Sequence, residues 1–156
     1  MSRDIKFRAF VDDEQMCEVI AIHTNTKEAV CLLTNRIPLD DADEQFHTEV
    51  TAVEIPLKDL ELMQFTGLRD YNYNEIYEGD ILEVGVTRGV VAFKDGCFIF
   101  LEDHENSKLL YETDFDVECF CPVSLLDKKG DVSLIGNIYE NKELLKWVNL
   151  TTINTK

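Results

Sequence analysis

The residues of this chain best suited to chemistry are five cysteines, three histidines and a surplus of carboxylates. Cys119 and Cys121 stand two apart, so on a strand they share a face. A structural zinc site needs two close pairs of ligands on turns that let the thiolates converge. His23, His47 and His104 are too scattered to supply the second pair. Cys17, Cys31 and Cys97 bring the thiols to an odd number without the spacing of a disulfide framework. Asp70, Asn72 and Asn74 imitate the opening of a calcium loop. That loop needs Gly at its sixth place and a bidentate Glu at its twelfth, where this chain has Glu75 and Ile81. The acidic run Asp40 to Glu44 lacks the same Gly. Both segments read as turns, in which Asp and Asn bond their own backbone. No Gly-x-Ser-x-Gly elbow, local Cys and His signature or phosphate-cradling Gly-rich loop occurs. The expectation is a protein with no catalytic residue, no metal and no cofactor, and so not an enzyme.

Charge narrows the partners. The 156 residues carry 31 Asp and Glu against 15 Lys and Arg, a formal net charge of −16. That field repels phosphate backbones, which DNA-binding proteins attract with clustered cations. It also opposes docking on anionic membranes. Met1-Ser2-Arg3-Asp4 does not start a signal peptide, and no apolar run reaches the length of a membrane span. The sequence therefore points to a reducing cytoplasm, with thiols buried as small hydrophobes.

Hydrophobic periodicity gives the scaffold. Ile5, Phe7 and Ala9 fall on one face and Asp4, Lys6 and Arg8 on the other, the pattern of a half-buried strand. Met16 to Ile22 forms its hairpin partner, and Ala29 to Leu33 a third strand. Residues 34 to 47 read as a surface loop, broken by Pro38 and crowded acids. Alternation returns from Thr48 to Ile55, where Pro56 ends it. Leu60 to Phe65 is ambiguous between strand and helix, and Thr66-Gly67 terminates it. Strand signals then crowd together: Ile81 to Val86, Gly89 to Phe93, Cys97 to Leu101, Val117 to Cys121 and Val132 to Ile138. Asp95-Gly96 marks a tight hairpin among them. Such spacing favours a small barrel or sandwich. Asn141 can cap a short C-terminal helix running through Val148. A boundary between two subdomains falls between Phe65 and Asp80.

Three blocks resemble a known family. Leu62-Met63-Gln64-Phe65-Thr66-Gly67-Leu68-Arg69-Asp70, followed by Glu75-Ile76-Tyr77-Glu78-Gly79-Asp80-Ile81, is similar to the central signature of the YopX family. Ile5 to Phe10 and Ile135 to Asn141 resemble that family's two ends. The resemblance implies a phage or prophage origin in Gram-positive bacteria, a β-rich fold with an SH3-like barrel in the C-terminal half, and no assigned activity. It places Asp70 before an Asn-Gly turn. Here the run is Tyr71-Asn72-Tyr73-Asn74, so the turn needs an Asn at positive φ or a longer loop.

The resulting expectation is a mainly β protein with minor α. It has a β-rich (α+β) N-terminal subdomain over 1–66 and a signature hairpin over 67–80. An SH3-like barrel with a short C-terminal helix spans 81–150, and a frayed tail spans 151–156. Gly67, Asp70, Gly79, Asp80, Gly136 and Asn137 form its structural signature, because Gly and Asp shape turns. Tyr71, Tyr73 and Tyr77 are candidate protein contacts, since tyrosine-rich loops bury area at small entropic cost. The function this implies is that of a phage accessory or adaptor protein acting on an unidentified protein partner, or as a homo-oligomer. The competing expectation is an acidic mimic of nucleic acid, built on Asp40 to Glu44 and Asp114 to Glu118, that inhibits a host DNA- or RNA-binding enzyme.

Overall fold

A computed structural model describes residues 4–12, 15–38, 46–85, 87–94, 96–102 and 132–144. The chain is mainly β and divides into two compact units, Ile5–Gln64 and Phe65–Lys156 together with Met1–Asp4. The expected strand Val117 to Cys121, the helix beyond Leu144 and the tail lie outside the described residues.

The unit Ile5–Gln64 is an antiparallel sheet of β1 (Phe7–Val11), β2 (Gln15–His23), β3 (Glu28–Pro38), β4 (Phe46–Pro56) and the first half of β5 (Leu60–Arg69). Their spatial order is β4-β3-β2-β1-β5. One face gathers Ala9, Val11, Cys17, Ala29, Cys31 and Leu60, with Val19, Leu33 and Ile55 packed on them. Pairing on both sides makes β1 central, and Ala9, Phe10 and Val11 are all buried. The half-buried reading of its start fails at Ile5, which precedes the strand and is 70% exposed.

The loop expected over 34 to 47 is corrected at both ends. β3 runs to Pro38 and β4 starts at Phe46, in unbroken register from Glu28↔Pro56 to Pro38↔Phe46. Pro38 is tolerated because β2 pairs with β3 only from Glu28 to Leu32. Beyond Leu32 the strand is paired on one side only, where a missing N–H costs no ladder bond.

In the other unit, β7 (Asp80–Val84), β8 (Thr87–Lys94), β9 (Cys97–Glu102) and β10 (Val132–Asn137) form a second antiparallel sheet in the order β10-β7-β8-β9. Lys94 pairs with Cys97, on either side of the Asp95-Gly96 dipeptide. Both faces are covered. Leu82, Val84, Val91, Phe98 and Val132 pack on one side, and Ile81, Val90 and Ile138 on the other. This two-sided burial accounts for the adjacent buried pair Ile81 and Leu82 in β7, one on each face. Among the described residues the sheet is not closed into a barrel. A 3₁₀ turn at Lys142–Leu144 stands where the C-terminal helix was expected to begin.

Candidate functional site

The central signature block forms the hairpin that precedes the second sheet. Thr66-Gly67 does not end β5, which continues to Arg69. Phe65 pairs with Tyr77 and Arg69 with Glu75, so Thr66, Gly67 and Leu68 together stand opposite Ile76 of β6 (Glu75–Tyr77). This is a bulge, and it bends the strand. Gly67 adopts φ 89° there. The Thr66 hydroxyl bridges the bend, donating to the Ile76 carbonyl at 2.8 Å and accepting the Leu68 N–H at 3.1 Å. A local Gly-Thr pair looks like a stop in sequence. Only its pairing with β6 shows it to be a bend.

Asp70 then organises the turn. Its Oδ1 accepts the N–H groups of Asn72 at 2.9 Å and Asn74 at 2.8 Å. Its Oδ2 accepts the Asn74 side-chain amide at 3.0 Å and the Leu134 N–H at 3.2 Å. The Tyr71 N–H donates to the Val132 carbonyl at 3.2 Å, so the turn is tied to β10 twice. Asp70 is 6% exposed. Burial opposes its ionisation, but the Asn74 amide and the backbone N–H groups of Asn74, Leu134 and Asn72 outweigh it and hold the pKa below the usual carboxylate range.

The residue at positive φ in this turn is Tyr73, at 67°, rather than either Asn. Arg69 clamps it: Nη1 donates to the Tyr73 carbonyl at 3.0 Å, and Nη2 pairs with Glu75 Oε1 at 2.5 Å. The other Glu75 oxygen accepts the Tyr77 hydroxyl at 2.8 Å, and the Tyr77 ring packs on Phe65 with centroids 5.4 Å apart. The three tyrosines therefore separate. Tyr77 is a half-buried brace, while Tyr71 and Tyr73 project at the tip, 57% and 80% exposed.

The remaining signature residues fix corners. Gly79, at φ 80°, donates to the Val91 carbonyl at 2.7 Å and accepts the Ile138 N–H at 2.9 Å. Buried Asp80 accepts the Tyr77 N–H at 2.7 Å. Asn137 Oδ1 accepts the N–H groups of Tyr139 and Glu140 at 3.0 and 2.9 Å, and its amide donates to Glu140 at 2.6 Å. A Cβ on Gly136 would lie 2.5 Å from Asn141 Oδ1, the oxygen that accepts the Asn137 N–H. The side chain expected to cap a helix thus closes this corner instead. The roles of Thr66, Arg69, Asn74 and Glu75 escape a reading of residue types. The one sequence signal was the pair of opposite charges, Arg69 and Glu75, flanking the turn.

The thiols of Cys17 and Cys31 are buried and free, and Cys97 is half-buried. No group of three or more His, Cys, Asp or Glu that could hold a metal occurs among the described residues. No described helix is long and apolar enough to cross a membrane. Cys119, Cys121, His104 and the acidic runs Asp40 to Glu44 and Asp114 to Glu118 lie outside the described residues.

A family model described as YopX protein matches residues 6–146. No curated protein matches the chain. Among solved structures, the crystal structure of protein EF1440 from Enterococcus faecalis is similar at a TM-score of 0.56 and 24% identity. The match covers 93% of this chain and 100% of that one. At that identity the likeness speaks to the fold.

Proposed function

The chain belongs to the YopX family, and from that premise we propose that it is a non-enzymatic phage or prophage accessory protein that binds another protein through the tip of its signature hairpin. The observation that carries this reading is the presentation of Tyr71 and Tyr73: two exposed aromatic rings on a turn held by Asp70 beneath and Arg69 beside it. Aromatic anchors held in place before contact lose little entropy on binding, which is how tyrosine-rich paratopes gain affinity. Tyr73 sits in a backbone conformation that non-glycine residues rarely adopt, and such outliers cluster at functional sites.

The hairpin is the connecting element between a β-rich N-terminal subdomain and an SH3-like barrel in this reading. The order β10-β7-β8-β9, with the last strand beside the first, supports that barrel assignment. The acidic composition suits work in the cytoplasm of a bacterial host on a protein rather than on nucleic acid. Affinity capture from that cytoplasm with the wild-type chain and a Tyr71→Ser/Tyr73→Ser variant tests the proposal. A partner retained by the wild type and lost by a variant of unchanged melting temperature is the expected result. Equal retention by both chains would refute the hairpin as the contact.

A further inference from the structure

A second surface lies in the unit Ile5–Gln64, away in sequence from the hairpin. Among the described residues β4 pairs with β3 alone and forms the edge of its sheet. Proteins usually blunt such edges with lysine, proline within the strand, bulges or brevity. Apart from two charged residues, Glu49 and Glu54, β4 uses no such device. It runs 11 residues, its register with β3 has no shift, it carries no Lys or Arg, and its Pro56 is the terminal residue. Thr48, Glu49, Val50, Thr51 and Ala52 are all exposed, so neither face of this stretch is covered. Val50 is 57% exposed. The strand is also rich in Thr and Val, residues that suit further pairing.

The charges indicate what would pair there. Glu49 and Glu54 are exposed and five residues apart, which puts them on opposite faces about 17 Å apart along the strand. Glu18 and Glu28 lie on the strands behind, with Arg36 the one cation of β3, at the Thr48 end. A second copy of this chain would bring another net charge of −16 against the first, whereas an extended segment bearing two cations would neutralise both carboxylates while its backbone joins the ladder.

We propose that β4 is a docking edge for an extended, basic segment of a partner protein, which adds as an antiparallel or parallel strand with Lys or Arg five residues apart meeting Glu49 and Glu54. Main-chain bonds supply affinity in this mode and the alternating side chains supply selectivity. The site is independent of the hairpin.

The test uses the full chain and three synthetic nonapeptides of alternating Val and Thr. One carries Lys at positions 2 and 7, the second carries Glu there, and the third keeps the lysines but has Pro at three intervening positions. The lysine peptide should bind at least about tenfold more tightly than either control at low salt. It should also slow amide exchange within 46–56. A Glu49→Lys/Glu54→Lys chain should prefer the glutamate peptide, and the Tyr71→Ser/Tyr73→Ser chain should bind as the wild type does. Equal binding of the proline peptide would show simple charge attraction and overturn the proposal. So would protection confined to 70–74, an unchanged preference in the charge-reversed chain, or a β4-dependent dimer of the chain alone.

Discussion

Truncating Asp70 to Ala removes a carboxylate that serves two different sets of donors. The N–H groups of Asn72 and Asn74 belong to exposed residues and regain water when the carboxylate is lost. The Leu134 N–H lies in the half-buried β10 and does not. Hydrogen bonds to an ionised acceptor contribute about 1.5–3 kcal/mol each, and a buried donor left alone costs about 1–3 kcal/mol. With the solvent-recovered bonds counted lightly, Asp70→Ala should cost roughly 3–4 kcal/mol. Asp70→Asn keeps one acceptor but sets an amide NH₂ against the Leu134 N–H or the Asn74 amide, and should cost about 2 kcal/mol. The sign of the pH dependence follows from the lowered pKa. The stabilisation is present above the unfolded carboxylate value near 3.9 and is lost as pH falls through the lower folded value. Urea unfolding of the wild type and Asp70→Asn at pH 7 and pH 3 measures both effects, because the other carboxylates cancel in the difference. Exchange of the Leu134 amide should quicken in both variants. A loss below about 1 kcal/mol for Asp70→Ala, or a difference that does not shrink in acid, would refute the assignment of Asp70 as the tie between turn and β10.

Two further outcomes are expected. Burial, then the neighbouring Cys31 thiol, pushes the Cys17 thiol up to about 12 from 9.0, partly offset by the Ala9 backbone. The unfolded chain releases this proton above pH 9 and the folded chain does not, so stability should fall as pH rises through that window. The slope should approach about 1.4 kcal/mol per pH unit in urea titrations, and Cys17→Ala should flatten it. Gly89→Ala and Gly67→Ala should differ in calorimetry. A Cβ on Gly89 would overlap the Leu101 carbonyl and sit 2.7 Å from the Phe100 ring, for a loss of roughly 3 kcal/mol or more. Gly67 has open space but φ 89°, for a loss of about 1–2 kcal/mol.

What the sequence revealed was local. The apolar run of β7, the Asp-Gly turn before Cys97 and the Asp70 turn all declare themselves within a few residues. Pro38 misled because a proline inside a strand argues against it only where both sides are paired, and pairing is not written in one segment. Gly67 misled in the same way, since a stop and a bulge differ only in what lies across the ladder. The bond from Asp70 to Leu134 spans 64 positions and has no local mark. The exposure of Tyr71 and Tyr73 against the burial of Tyr77 depends on Phe65 and Glu75, which fold back onto the last of the three rings alone.

The placement of β10 has a consequence for synthesis on the ribosome. β7 can pair with β8, and β8 with β9, soon after each leaves the exit tunnel. The other edge of β7 must wait for Val132 to Asn137, roughly fifty residues later. At ordinary translation rates of about 5–20 residues per second, that delay is roughly 2–10 s. Throughout it β7 is paired on one side only, with Leu82 and Val84 lacking Leu134 and Val132. Closure of this edge is therefore the step in the folding of this sheet that depends on the most distant partner in the sequence.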